Sequence, residues 1–292
     1  MKQKKSPASW AVDIIIHGIL ILFGLVTFLP FYNIVVGSLA SARENALHPF
    51  LLWPREPTLD TYRYLLSSAT MPRAMLVSIY ITIVGTAVNI FMTTLMAWPL
   101  AHRHLKGRST LMFMITFTMI FSGGMIPGYF IVRATGLLNS YAALVIPSAI
   151  GTFNLILMKN FFQEIPASLE ESAKLDGCND LIILACIVIP LSLPSIATFT
   201  LFYAVGHWNS FMAFILYIAD PKKWNLQVML RQIVMLSQGG VGDIEMVRED
   251  FIIPPQGVKM AAIVFSTFPI LCVYPFLQKY FAKGVMVGSI KG

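Results

Sequence analysis

The stretch Leu169–Pro194, LEESAKLDGCNDLIILACIVIPLSLP, changes from charged to apolar residues along its length. It begins with charged residues, passes through the turn signal Asp176-Gly177, and ends in an apolar run that contains Pro190 and Pro194. Glycine and proline are the strongest local breaks in secondary structure. The pattern predicts a short charged helix, a tight turn, and a second helix that leads into an apolar segment.

Three local signals support this short helix, and a fourth supports the helix after it. Pro166 suits its start, since the missing N–H of proline is not needed there, and two glutamates follow near the positive end of the helix dipole. Gly177 suits its end, because glycine adopts positive φ readily. Asn179 or Asp180 can then cap the next helix.

The composition shows what surrounds this helix. Of the 292 residues, 57% are hydrophobic and only 12% are charged, whereas an ordinary soluble domain has about twice that charged fraction. The apolar residues fall in long runs, and about 20 such residues span a bilayer. We therefore predict an all-α, multi-pass membrane protein in contact with lipid. The net charge of +7 is attributed to loops at the cytoplasmic leaflet rather than to nucleic-acid binding.

Six transmembrane helices are predicted from the apolar runs. The fifth is interrupted near its start by two prolines, which neighbouring helices can accommodate. The predicted spans are about Ile14–Val36, Met75–Leu100, Thr110–Val132, Tyr141–Met158, Ile187–Ile218 and Met260–Phe281.

The distribution of basic residues predicts the orientation. Three lysines, Lys2, Lys4 and Lys5, precede the first span with no acid beside them, and the loop AHRHLKGRS after the second span has three basic residues and no acid. The positive-inside rule therefore places the N- and C-termini in the cytoplasm, together with residues 161–185.

The chain is predicted to have three parts. Residues 1–71 form an N-terminal part with the first span and an outer loop. Residues 72–281 form a core with five spans and a cytoplasmic loop at about 161–190, and residues 282–292 form a cytoplasmic tail.

The short helix is too polar to span a membrane and too small to form a catalytic domain. Small and apolar residues on one face, flanked by acids, are typical of a docking surface for a soluble partner. A connector helix lying on the membrane surface is the alternative that the residues alone leave open.

The same stretch resembles the EAA loop of ABC importer permeases, in which EAA is followed by three residues, a glycine, nine residues and I-x-L-P. The matching positions are Glu171, Ser172, Ala173, Gly177, Ile187, Ile189 and Pro190. Ser172 departs from the alanine of the pattern, Leu184 from a common aromatic residue, and Cys186 from a frequent basic residue. Other segments are also similar to carbohydrate-type permeases related to maltose importers: SGGMIPGYF, NFFQEIPASLEE, LFYAVGHWNSF and YPFLQKYFAKGVMVGSIKG.

The resemblance implies the type I importer fold in a bacterial inner membrane. It implies that the chain forms half of the path for an oligosaccharide, with a slight preference for acidic sugars such as alginate or other uronates. The implied partners are a second homologous permease, two ATP-binding subunits and an extracytoplasmic solute-binding protein. The chain has no GxxxxGK[ST] phosphate loop, so we expect no enzymatic activity, cofactor or metal, and ATP bound by the partner subunits.

Two groups of candidate site residues follow. The first would couple to the ATPase through the EAA loop and comprises Leu169, Glu170, Glu171, Ser172, Ala173, Asp176 and Gly177. The second comprises polar or aromatic residues within spans, which either line the translocation path or join helices to one another: Asn89, Asn154, His207, Trp208 and Asn209. The tail Lys279–Gly292 is either a further ATPase contact or a frayed end.

Two other functions fit the sequence less well. A secondary transporter is expected to have ionisable residues deep within its spans, and Asp13 and His207 are nearly the only ones here. A membrane scaffold that transports nothing would not require an EAA-type loop. An ABC importer permease therefore accounts for the sequence best.

Overall fold

The computed structural model describes the backbone of residues 7–48, 50–237 and 256–289. Within these ranges the chain forms helices joined by turns and loops, and it contains no strand. The helices are α1 Pro7–Ser38, α2 Ala42–Leu47, α3 Asp60–Ser67, α4 Thr70–Ala101, α5 Arg108–Ile120, α6 Met125–Ala134, α7 Ala142–Val145, α8 Thr152–Gln163, α9 Ala167–Leu175, α10 Asp180–Ile183, α11 Ile189–Leu191, α12 Leu193–Trp208, α13 Met212–Tyr217, α14 Leu226–Ser237 and α15 Gln256–Ser289.

The structure has three to six candidate spans, and the predicted number of six holds if each bent helix pair is counted as one span. The fifth of these ends at Trp208 and not at Ile218. Three helices of the described chain are long and apolar enough to cross a membrane without a break: Val12–Ser38, Thr70–Ala101 and Gln256–Val273. Three further candidates are helix pairs bent by 118°, 52° and 85°: Arg108–Ile120 with Met125–Ala134, Ala142–Ser148 with Thr152–Gln163, and Asp180–Leu191 with Leu193–Trp208.

The bends coincide with residues that interrupt helices. The sharpest bend follows Phe121, where the chain becomes extended and Gly124 has a φ of +85°. The bend in the fifth span occurs at Ser192, between Pro190 and Pro194, after a π-helical turn at Leu184–Val188. Proline removes a backbone donor and clashes with the preceding turn, so a bend is expected at this point.

The chain divides into two compact units, Met1–Ala69 with Leu230–Phe268 and Thr70–Met229 with Pro269–Gly292. In the second unit, α4 packs along both α12 and α8. Its larger core cluster includes Trp98, Met158 and Phe199, and a smaller cluster includes Ile81 and Phe214. These clusters hold together the helices that carry both groups of candidate site residues.

The first unit is organised around the end of α1. Val36, Ala40 and Leu51 form a small core, and the buried Asn45 donates to the Gly37 carbonyl at 2.8 Å. Thr61 donates to the carbonyl of Ser38. These bonds fix the connection that follows the first span.

Several loop predictions can be compared with the structure. In the loop that follows the first span, helix α3 begins at Asp60. The tail continues as helix α15 to Ser289, and its last three residues lie outside the described residues. Residues 238–255, between the fifth and sixth predicted spans, are also outside them. The orientation of the termini and the boundaries of the three parts stay predictions.

Candidate functional site

Helix α9 and the turn after it have the local structure that the sequence indicates. The N–H of Gly177 donates to the Lys174 carbonyl at 3.1 Å, and the N–H of Cys178 donates to the Ala173 carbonyl at 3.0 Å. This pair of bonds is a Schellman motif, which ends a helix with a left-handed residue. Gly177 is that residue, with a φ of +83°.

The second helix begins immediately after this turn. The side chain of Asn179 accepts a hydrogen bond from the N–H of Ile182 at 2.9 Å, so Asn179 is the cap of α10. The segment then proceeds through the π-helical turn into the bent fifth span. A polar helix is thus joined rigidly to a membrane-spanning one.

Glu170 fixes α9 to the end of α4. Its Oε1 atom lies 2.9 Å from Nε2 of His102, in the loop after α4, and 2.6 Å from Nζ of Lys174, one turn further along α9. The ammonium of Lys174 also lies 3.4 Å from Asp180. This cluster joins the span, the short helix and the helix that follows.

The ionisation of Glu170 reflects these contacts. Partial burial on its own raises the pKa of the carboxyl group, but the hydrogen bonds from Lys174 and His102 outweigh it, and the pKa lies below its ordinary value. Contact with Glu170 raises the pKa of Lys174. Both groups are therefore charged at neutral pH, and the bond between them is charge-assisted.

Side chains from different parts of the chain cap the carbonyl groups at the end of α4. The Trp98 carbonyl is 3.0 Å from Nδ1 of His102, the Leu100 carbonyl accepts from Arg108, and the Ala101 carbonyl accepts from Gln163. The last carbonyls of a helix lack partners within the helix. Their side-chain partners hold the end of α4 in place.

The outer face of α9 is open to solvent. Glu171 is exposed, and no hydrogen bond or ion pair engages its carboxylate among the described residues. Leu175 is 90% exposed and Leu181 67% exposed. A groove of about 800 Å³ runs beside this face and is lined by Glu171, Leu181 and the loop after α4. An exposed acid beside exposed leucines is a surface suited to a protein partner.

The remaining predicted coupling residues divide between the two sides of α9. Ala173 is buried in the core cluster with Trp98 and Phe162, so it positions the helix from inside. Ser172, Asp176 and Leu169 are exposed.

Two of the predicted path residues bond helices to one another. The amide of the buried Asn89 donates to the Ser148 carbonyl, and its oxygen accepts from Nε2 of His207, each at 2.6 Å. The His207 ring passes so close to Gly85 that a Cβ there would lie 2.5 Å from it. These bonds join α4 to α12 and to the turn after α7.

The other three predicted path residues have different environments. Asn209 is exposed and donates to the Val205 carbonyl at the end of its own helix. Asn154 is half-buried in α8. Trp208 is buried, and its indole N–H has no acceptor among the described residues.

Sequence reasoning missed Tyr203, His102 and Lys174. The hydroxyl of Tyr203 lies 2.8 Å from that of Thr93 and accepts from the N–H of Gly151 at 3.0 Å. His102 stands 68 positions from its partner Glu170, so nothing adjacent in sequence reveals the contact. The two histidines in AHRHLKGRS are the only signal at this place in the sequence.

These features define a multi-pass helical membrane protein that presents a short helix and a groove beside the end of a span. The chain belongs to the family of binding-protein-dependent transport system inner membrane components, whose family model matches residues 74–287. It is a multi-pass inner-membrane permease subunit of an ABC importer.

Individual relatives agree with this assignment. The polygalacturonan/rhamnogalacturonan transport system permease protein YtcP of Bacillus subtilis (strain 168) is 52% identical over 280 residues, covering 96% of this chain and 98% of that protein. Protein LplC of the same organism is 53% identical over 271 residues, covering 92% and 91%. A chain from the crystal structure of a bacterial ABC transporter that imports the acidic polysaccharide alginate matches with a TM-score of 0.88 at 30% identity, covering 96% of this chain and all of that one.

Proposed function

We propose that the chain forms half of the translocation path for an acidic oligosaccharide and that α9 couples this path to ATP hydrolysis. A second homologous permease forms the other half, two ATP-binding subunits attach through α9 and its counterpart, and a solute-binding protein delivers the sugar. The chain itself carries out no catalysis and binds no cofactor, since ATP is bound and hydrolysed by the partner subunits.

The coupling proposal rests on the exposed face of α9. An amphipathic helix commonly binds a partner by placing its exposed side chains in a groove. Here Glu171 is available for a cation, and Leu175 for an apolar contact. The Schellman turn and the Glu170 contacts hold the helix to the spans, so a movement of α9 would be transmitted to them.

Similarity supports the substrate class. The names of one relative and of the solved structure refer to galacturonan polymers and to alginate, which are polymers of acidic sugars. Carboxylated sugars are therefore proposed, at the size of oligosaccharides. Internal bonds already occupy Asn89 and His207, so this chain would line the path more than it would grip the sugar.

The coupling proposal is tested by charge reversal on the exposed face. Glu171→Lys should insert normally but should not retain the ATPase subunits through purification, because the charge that meets them is reversed. Glu164→Lys is the matched control, since Glu164 is also exposed but does not line the groove. Normal ATPase content in the Glu171→Lys complex would disprove the role of this face.

The substrate proposal has its own test. Proteoliposomes containing the complete transporter are supplied with binding protein and with labelled trigalacturonate or maltotriose. We expect ATP-dependent uptake of the acidic trimer and little uptake of the neutral one. The opposite preference would disprove the substrate class while leaving the coupling proposal intact.

A further inference from the structure

The loop after α2 carries an exposed patch, the apolar turn, formed by Phe50, Leu52 and Trp53. Their exposed fractions are 52%, 65% and 74%. The residues on either side of this pair of outward side chains are held inside, because Leu51 belongs to the small core of the first unit and Pro54 is buried. Large apolar side chains exposed together in this way are typical of an interaction surface.

The apolar turn is fixed to α1 by two hydrogen bonds. The N–H of Leu51 donates to the side-chain oxygen of Asn33 at 2.9 Å, and the hydroxyl of Tyr32 donates to the Leu52 carbonyl at 2.8 Å. Both bonds satisfy backbone groups of the turn with side chains of the span. The turn is therefore held at the level of Tyr32 and Asn33.

The length of α1 gives the depth of this attachment in a bilayer. The uncharged stretch of the first span begins after Asp13, and the next acidic, lysine or arginine residue is Arg43. Because an α-helix rises about 1.5 Å per residue, Tyr32 lies about 27 Å along α1 from Ile14. The hydrocarbon core of a bilayer is about 30 Å thick. Tyr32 and Asn33 therefore lie close to the edge of the hydrocarbon, and the apolar turn lies at the membrane–water interface.

Helix α1 itself presents apolar side chains on every side. The consecutive residues Ile19–Phe23 are all exposed, and they make up more than one full helical turn. A helix that is apolar all round is typical of a membrane span. The apolar turn is thus continuous with a surface that the bilayer covers.

The residue types of this region suit an interface between lipid and water. Tryptophan and tyrosine are enriched there, because each ring is apolar with a polar group at its edge. Trp53 is in the turn, and Tyr32 lies at the same level. The next exposed residues, Arg55 and Glu56, are charged, and a guanidinium group binds phosphate groups such as those of lipid headgroups.

We propose that the apolar turn is an interfacial membrane anchor, whose side chains insert between the lipid headgroups and the first carbons of the acyl chains beside α1. A soluble protein is less suited to cover it, because the turn is bonded to α1 at the edge of the hydrocarbon and not above it. The anchor fixes the depth and rotation of α1 in the bilayer. It is independent of the proposed transport and coupling functions.

The test is quenching of Trp53 fluorescence in the complete transporter, reconstituted in vesicles of phosphatidylcholine. The acyl chains carry bromine, which quenches indole on contact, either near the headgroup or near the chain end. The emission of Trp53 is the difference between the wild type and Trp53→Phe, since all other tryptophans are the same in both. We expect this emission to be lost with bromine near the headgroup, to be lost less with bromine near the chain end, and to resist the water-soluble quencher acrylamide.

Trp224→Phe is the matched control. Trp224 is buried, and its indole N–H donates to the Ile218 carbonyl at 3.0 Å. The emission that this variant removes should be insensitive to both brominated lipids and to acrylamide.

Three results would overturn the proposal. Loss of Trp53 emission with acrylamide but not with brominated lipid would mean that the turn faces water. Insensitivity to every quencher would mean that another protein chain covers it. Protection from acrylamide only after the solute-binding protein is added would mean that the turn is a docking surface for that protein.

Discussion

The left-handed conformation of Gly177 allows a prediction that separates backbone geometry from contact with a partner. The residue has a φ of +83°, and a Cβ added there would meet no heavy atom within 4 Å. A side chain is therefore disfavoured by the backbone and not by a clash within the chain. A residue with a Cβ adopts this conformation at a cost of about 1–2 kcal/mol, with asparagine among the exceptions.

We expect Gly177→Val to uncouple transport from ATP hydrolysis and Gly177→Asn to remain close to wild type. Valine weakens the Schellman turn by about 1–2 kcal/mol, which is roughly a five- to thirtyfold shift in the equilibrium of the turn. Helix α9 has nine residues, and isolated helices shorter than about 12–15 residues are marginal in water. The fixed turn at its end is therefore needed for a defined orientation.

The assay is uptake per ATP hydrolysed in proteoliposomes, together with the melting temperature in detergent. Gly136→Val is the matched control, because Gly136 has a φ of +70° and equally open surroundings in the turn after α6. It should lower the melting temperature to a similar extent without changing uptake per ATP. Equal uncoupling by Gly177→Asn and Gly177→Val would refute the argument from φ and indicate that a partner packs against the glycine.

Three further predictions concern packing and ionisation. Gly85→Ala should lower the melting temperature in detergent, because its Cβ would displace the His207 ring at about 1–3 kcal/mol, whereas Gly206→Ala, with open space around it, should not. Tyr203→Phe should destabilise the protein by about 1–3 kcal/mol, measured by thermal unfolding, since a backbone N–H loses its acceptor. Glu170→Gln should be less stable than wild type near neutral pH. That difference should disappear as the pH falls through the lowered pKa of Glu170, because its stabilisation exists only while the carboxyl is ionised; a constant difference would contradict this.

The spans could be predicted because apolar runs of sufficient length are a local property of the sequence. The bends in them are harder to predict. Both Pro190 and Gly124 signal a break, but the angle depends on how neighbouring helices satisfy the freed carbonyls. The 118° bend after Phe121 is therefore absent from a prediction that treats Thr110–Val132 as one straight segment.

The same distinction holds at the candidate site. The turn at Gly177 and the cap at Asn179 follow from residues within a few positions of one another, and the structure has both. The contact between His102 and Glu170 depends on the packing of α4, α8 and α9, so no spacing in the sequence reveals it. Ala173 belongs to the EAA pattern, yet the pattern does not indicate that its side chain points inward.

The polar residues within the spans have a consequence for how such a subunit could handle sugar. A sugar hydroxyl that bonded to Asn89 or His207 would have to displace a bond at 2.6 Å that joins two helices. Such an exchange removes about as much favourable interaction as it adds, and it also loosens the contact between the helices. Among the predicted path residues, the indole N–H of Trp208 is the buried donor that no acceptor occupies in the described chain. The bonds of Asn89 and His207 therefore suit these two residues to holding α4 and α12 together rather than to binding sugar.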